Sequence, residues 1–131
     1  DQIIKMDKTW RAEVKSSGGD MTKDVLGNEL SVCLKKVKAE SDGLYTEIFV
    51  MDNKGLNVGQ SDVTSDYLQG DEAKWQKTYS MGPKMVHVGK VSTDESSQAL
   101  QSQLSITITD PATGKAIGAI TVGVNVGMLV E

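Results

Sequence analysis

The apolar residues near the N-terminus recur every three or four positions, a spacing typical of amphipathic helices. One such stripe predicts a helix over residues 1–16: Ile3, Met6, Trp10 and Val14. The run Ser-Ser-Gly-Gly that follows predicts where this helix ends. Because the stripe is longer than one small sheet can cover, we expect the helix to pack on the next helix or on a second copy of the chain, as a homodimer through the N-terminal helices.

A second helix is predicted over residues 20–40, where Leu30 and Val37 belong to the apolar stripe. Gly27 costs this helix about 1 kcal/mol relative to alanine, so its first turns are the weaker part. Cys33 lies on the same stripe and is expected to be a small buried residue. Residues 1–40 are therefore predicted to form an N-terminal helical segment.

After residue 43 the period of the pattern changes to two, which indicates strands. The predicted strands are 44–51, 56–58, 85–91, 100–109 and 116–126, with a short helix over 71–79. Turn residues at 52–55 and 110–114 predict tight hairpins. Short connections between the last three strands predict an antiparallel sheet over 44–127. The fold class is α+β, in one domain that spans 1–131.

The last two strands separate an aliphatic face from a face of small polar residues. The aliphatic face has to be covered, so we expect the helix over 20–40 to lie on it with Leu30 and Val37 buried. The other face is the polar face: Gln103, Ser105, Thr107, Thr121 and Asn125. It is either a solvent-facing side or the floor of a pocket beneath residues 60–84, an insertion that exceeds ordinary loop lengths.

Composition excludes several functions. The net charge is −4 and Arg11 is the sole arginine, which argues against nucleic acid as a partner. One histidine and one cysteine leave no Cys/His metal site and no internal disulfide. No nucleophile or carboxylate has motif spacing to His87, and the acidic residues of 62–72 fit no calcium loop and are interpreted as a solvated loop. We therefore predict no enzyme, no cofactor and no metal.

Several segments in their order resemble the extracytoplasmic Cache (PDC-type, PAS-like) sensor domains of bacteria. The resemblance rests on residues 48–55, on Asp66-Tyr67, on Trp75 and on the closing hairpin 110–126, and it spans about 20–127. It implies a long N-terminal helix packed on a five-stranded antiparallel sheet, with a short helix in the insertion between the second and third strands. It also implies a periplasmic or extracytoplasmic sensor in signal transduction, tied to a membrane only through a parent receptor.

The resemblance also implies a small-molecule site between the sheet and residues 60–84. Tyr67 and Trp75 match the aromatic roof of the family, whereas His87, Gln103 and Ser105 lie on strands that usually supply polar contacts. We expect these five side chains to converge on one cavity. Members that bind carboxylates place an arginine beside the roof aromatic, where this chain offers only lysines, so an uncharged or weakly charged ligand is expected.

Two alternatives to a receptor sensor domain stay open at this stage. One is a free-standing secreted or periplasmic protein of the Cache fold, without a receptor. The other is a ligandless protein-interaction module of the roadblock or profilin-like kind, which shares the helix, the Asp-x-x-Gly hairpin and the mixed order of elements.

Overall fold

The computed structural model of the chain describes residues 1–93 and 99–129. Three helices come first: α1 (Gln2–Lys15), α2 (Asp20–Gly27) and α3 (Glu29–Glu40). The strands are β1 (Tyr45–Met51), β2 (Asn57–Gln60), β3 (Val86–Val88), β4 (Ser92–Thr93), β5 (Leu100–Thr109) and β6 (Ala116–Asn125). The one-turn helix α4 (Ala73–Gln76) and a 3₁₀ turn (Tyr79–Met81) lie between β2 and β3, and a second 3₁₀ turn (Val126–Leu129) follows β6.

The strands form one antiparallel sheet in the order β2-β1-β6-β5-β3, and β4 also pairs with β5. Phe49 of β1 lies opposite Thr121 of β6, which in turn lies opposite Ser105 of β5. The predicted α+β class and PAS-like sheet are confirmed. The sheet has six strands, however, because the two-residue strand β4 adds to the five that the alternation predicts. Of the predicted strand over 85–91, only β3 is a regular strand, although Met85 O and Gly89 N also form hydrogen bonds with β5.

The helix predicted over 20–40 is broken between Gly27 and Asn28. Asn28 has extended backbone (φ −73°, ψ 167°), and its Oδ1 accepts a hydrogen bond from Ser31 N at 2.8 Å, which caps α3. Its Nδ2 donates to Val58 O at 2.8 Å and so ties the break to β2. A tertiary hydrogen bond and a helix cap therefore replace one continuous helix with two.

Helix α3 packs on β1 and β2, at one edge of the sheet. Leu34 of α3 and Ile48 of β1 are buried in this contact. The prediction that Leu30 and Val37 are buried is wrong, because they are 38% and 40% exposed, and Cys33 is exposed as well. Since α3 lies over β2 and β1, the aliphatic face of the far strands is outside its reach, and three of its residues are exposed: Val86, Val88 and Ile106.

Helix α1 packs on α2 and on the segment that follows β2. Trp10 is completely buried, its ring centroid lies 5.5 Å from that of Tyr67, and its Nε1 donates to Thr64 O at 2.8 Å. The partly buried apolar residues around this pair are Ile3, Met6, Val14, Met21, Val25 and Leu68. The stripe of α1 is thus covered within the chain, so its burial requires no second copy.

Asp7, one turn before Trp10 on α1, also bonds to the segment that follows β2. Its Oδ1 accepts hydrogen bonds from the backbone N–H groups of Tyr67 (2.9 Å) and Leu68 (3.0 Å), and its Oδ2 accepts from Arg11 Nε at 2.8 Å. Burial acts to raise the pKa of this carboxyl, but the hydrogen bonds from Leu68, Arg11 and Tyr67 outweigh it, and the pKa of Asp7 lies below its ordinary value.

Replacing the carboxylate, in the variant Asp7→Asn, should lower the free energy of unfolding by about 1–2 kcal/mol at pH 7. The folded-state pKa is lowered, so the ionised group stabilises the fold above its unfolded pKa of about 3.9, and this contribution is lost as pH falls through the folded pKa. Urea unfolding at several pH values should therefore show the two proteins converging in acid. The control is Asp24→Asn, an exposed carboxylate on α2. A pH-independent difference would contradict a role for the charge.

The turn between β1 and β2 depends on a glycine. Gly55 has φ +78°, and a Cβ at this position would overlap the backbone of Gly70. Gly114, in the β5–β6 turn, has φ +73° with nothing within 4 Å of an added Cβ. The two glycines thus share a left-handed backbone and differ only in what surrounds it.

We expect Gly114→Ala to cost about 1–2 kcal/mol, the strain of a left-handed alanine. Gly55→Ala should cost more than about 4 kcal/mol, because the strand-like contact with Gly70 has to open as well. Chemical denaturation of both variants measures the difference. Equal losses would show that Gly55 is needed for its backbone angle alone.

Candidate functional site

A cavity of about 250 Å³ lies between the sheet and the first half of the 60–84 insertion. It is called the acidic cavity below. Strands β1 and β5 supply its floor, and the segment from Val63 to Lys74 supplies its wall. The lining residues are Glu47, Phe49, Val63, Thr64, Ser65, Asp66, Gln69, Glu72, Lys74 and Gln103.

The floor follows from the alternation of the two strands across a glycine. Glu47 and Phe49 are two residues apart on β1, so their side chains share the polar face. Gly123 of β6 lies opposite both Glu47 and Gln103, and a Cβ on it would come within 3.0 Å of the Glu47 side chain. Because Gly123 has no side chain, Gln103 Nε2 reaches across it and donates to Glu47 Oε2 at 3.2 Å.

Buried hydrogen bonds shape the wall. Thr64 Oγ1 accepts from Asn57 Nδ2 (2.9 Å) and Gln60 Nε2 (2.7 Å) and donates to Asp66 O (2.8 Å). Gln69 is 2% exposed, and its Nε2 donates to Asp66 O and Asp66 Oδ1, both at 3.1 Å. Among the described residues, Gln69 Oε1 has no hydrogen-bond partner. Gln69 is therefore a buried amide in the wall whose carbonyl oxygen has no partner among the described residues.

Carboxylates dominate the charge of the cavity. Glu47, Asp66 and Glu72 line it together with one amine, that of Lys74. Burial raises the pKa of Glu72 above its ordinary value, and the charge of Lys74 opposes this. Lys74 Nζ lies 3.6 Å from Glu72 Oε1 and 5.3 Å from the centroid of the Phe49 ring.

Asp66 links the cavity to α1. One carboxylate oxygen, Oδ1, accepts from Ser65 Oγ at 2.9 Å, and the other, Oδ2, lies 3.4 Å from Arg11 Nη2. The Asp66 side chain is 17% exposed, whereas that of Arg11 is 52% exposed. The ion pair therefore joins a mostly buried carboxylate to an exposed guanidinium. Arg11 is not part of the cavity lining, so it compensates the charge of Asp66 from the solvent side.

Of the five residues predicted to converge on one cavity, Gln103 lines the acidic cavity and the other four lie elsewhere. Tyr67 packs against α1 through Trp10, and burial raises the pKa of its hydroxyl. Ser105 is buried with its Oγ 2.8 Å from Thr121 Oγ1, and His87 lies opposite Ser105 on the edge strand β3.

Trp75, the fifth predicted residue, packs on the sheet. Its Nε1 donates to Asp52 O at 3.0 Å, and its ring stacks on Tyr79 with 5.2 Å between centroids. Both rings pack against the buried cluster Phe49, Met51 and Ala119. The second half of the insertion is therefore in direct contact with the polar face. Thr107 Oγ1, which donates to Gly82 O at 2.9 Å, belongs to the same contact.

Sequence reasoning missed most of the lining. Asp66 and Glu72 belong to the acidic stretch interpreted as a solvated loop, yet both border the cavity. Glu47 carried a usable signal, because it is the one charged residue of the mostly apolar strand β1 and lies on the same face as Phe49. Within residues 1–93 and 99–129, no three His, Cys, Asp or Glu side chains are grouped so that they could hold a metal ion.

No protein-family model and no curated protein matches the sequence. Among the described residues, no helix has the length and apolar character needed to cross a membrane. Solved structures do match the fold, and the three reported next are a ligand-binding domain, an extracellular domain and a sensor domain.

The chemoreceptor Tlp3 of Campylobacter jejuni, in its ligand-binding domain with 4-methylisoleucine, matches with a TM-score of 0.57 and 16% identity over 95% of this chain. The extracellular domain of rpHK1S-Z16, named as a histidine kinase, gives a TM-score of 0.59 and 11% identity over 76% of the chain. The E. coli DcuS sensor domain matches with a TM-score of 0.50 and 16% identity over 98% of this chain.

This chain spans 50% of the Tlp3 domain and 41% of the rpHK1S-Z16 domain, but 89% of the DcuS domain. Identities this low establish the fold alone. The chain therefore has the PAS-like fold of the PDC/Cache-type sensor domains found in bacterial kinases and chemoreceptors.

Proposed function

We propose that this chain is an extracytoplasmic small-molecule-binding sensor domain of a bacterial signalling protein, and that it holds its ligand in the acidic cavity. The observation that carries the proposal is the position of this cavity between the sheet and the 60–84 insertion, with a buried, unpaired Gln69 Oε1 in its wall. A buried acceptor without a partner is costly, which favours a donor brought next to Gln69.

The size of the cavity supports a small metabolite. At about 250 Å³ it is slightly smaller than the sites of drug-sized molecules, which occupy about 300–1,000 Å³. The structural neighbours support the same function, because Tlp3 holds an amino-acid derivative in its ligand-binding domain. The extracytoplasmic setting is supported by the extracellular domain of rpHK1S-Z16.

A ligandless protein-interaction module is the second candidate. The exposed apolar residues Val86, Val88 and Ile106, neighbours on β3 and β5, favour it. Apolar side chains grouped on a sheet face are typical of a protein contact surface. This candidate makes no use of the acidic cavity, so ligand binding separates the two.

A thermal-shift screen of a metabolite library tests the proposal. A ligand that binds only the folded chain stabilises it by about 2.7 kcal/mol at a hundred times its Kd, which raises the melting temperature by several degrees. The shift should shrink in Gln103→Ala, which alters the floor of the cavity. It should persist in Gln101→Ala, since Gln101 lies on the same strand and face but bonds Thr46 outside the cavity (2.6 Å).

Trp75→Ala cannot replace Gln103→Ala as the test variant, because it removes a ring that packs the insertion against the sheet and would disturb the fold. If no compound shifts the wild-type protein, the sensor proposal fails and the interaction module takes its place. A shift that survives in Gln103→Ala would move the site away from the acidic cavity.

A further inference from the structure

We infer that the ligand of the acidic cavity is a small hydrophilic organic cation that carries ammonium groups and no carboxylate. The inference rests on the proposed ligand-binding function and assigns the chemical class of the ligand at that site. It replaces the uncharged or weakly charged ligand expected from the sequence.

The first argument is charge. Three carboxylates and one amine line the cavity, so it holds an excess of two negative charges when all four groups are ionised. Within 4 Å and among the described residues, Lys74 pairs with Glu72, and Arg11 pairs with Asp66 from the solvent side. A ligand that displaces water from this cavity has to compensate the remaining charge, which a cation does and an anion makes worse.

The second argument is the hydrogen-bonding capacity that remains free. Apart from the amine of Lys74, which lies 3.6 Å from Glu72 Oε1, the side-chain donors that line the cavity are engaged: Thr64 Oγ1 donates to Asp66 O, Ser65 Oγ to Asp66 Oδ1, and Gln103 Nε2 to Glu47 Oε2. Gln69 Nε2 also donates to Asp66, whereas Gln69 Oε1 is unpaired among the described residues. The free capacity is therefore mainly that of acceptors, and an ammonium group is a donor of three hydrogen bonds.

The third argument separates an organic cation from a metal ion. The described carboxylates are not grouped closely enough for three of them to chelate one ion. They are spread over β1, the loop after β2 and the start of α4, around a cavity that has room for a short chain. Phe49 in the floor already holds the Lys74 amine 5.3 Å from its ring centroid, so the surroundings of this ring accommodate an organic ammonium group.

A series of four-carbon probes tests the inference by calorimetry at constant ionic strength. The probes are 1,4-diaminobutane, 4-aminobutyrate, 1,4-butanediol and succinate. Each has four carbon atoms in a line and a polar group at both ends, so they differ mainly in charge. We expect diaminobutane to bind, and aminobutyrate, butanediol and succinate to bind at least ten-fold more weakly or not at all. Calcium chloride serves as the metal probe and should neither bind the cavity nor compete with diaminobutane.

Charge-matched variants separate the cavity from the general attraction of an acidic protein. Glu47→Gln and Glu72→Gln each remove one carboxylate from the cavity and should weaken diaminobutane binding about ten-fold. Asp62→Asn and Asp71→Asn change the net charge equally but lie outside the cavity, and should change binding less than two-fold. Circular dichroism shows whether each variant is folded.

Several results would overturn the inference. Preferential binding of aminobutyrate, butanediol, succinate or calcium would do so while leaving the ligand-binding function intact. Equal effects of the cavity and control variants, or no binding of diaminobutane, would also do so. The thermal-shift screen tests the ligand-binding function separately. A neutral or anionic ligand whose binding depends on Gln103 would support the acidic cavity as the binding site and contradict a cationic ligand.

Discussion

In the segment 64–68, several buried backbone N–H and C=O groups have no partner in the sheet. Side chains of α1 supply their hydrogen bonds. Trp10 donates to Thr64 O, and Asp7 accepts from Tyr67 N and Leu68 N. Buried backbone groups without partners cost free energy comparable to a lost hydrogen bond, so this segment needs the helix to keep its shape. The wall of the acidic cavity is the other side of the same segment.

That arrangement gives one carboxylate two environments. Asp66 faces the cavity, where Gln69 and Ser65 donate to it, and it also meets Arg11 of α1. With the organic cation inferred above in the cavity, the ligand and Arg11 interact with the same carboxylate, so binding in the cavity and the packing of α1 are physically linked. Arg11, which contacts Asp66, directly follows Trp10, which fixes α1 to Thr64.

The polar face of the sheet serves two purposes along its length. Beneath Trp75 and Tyr79 it is a packing surface, where the small residues Ser105 and Thr121 satisfy each other by a hydrogen bond of 2.8 Å. Toward Glu47 and Gln103 it is the floor of the cavity, and Gly123 provides the space. One strand face can do both because residue size, and not polarity, decides how closely the insertion approaches it.

The sequence by itself determined the elements that depend on local chemistry. Alternation predicted β5 and β6, turn residues predicted their hairpin, and the stripe containing Trp10 predicted α1, because period and turn propensity act over a few residues. Gln103 was placed on the correct face for the same reason. Only the tertiary structure decided the break at Asn28, which depends on Val58, and the assembly of the cavity. Glu47, Asp66 and Glu72 are neighbours because β1 and the insertion meet in space, and nothing in the local pattern of either segment encodes that distance.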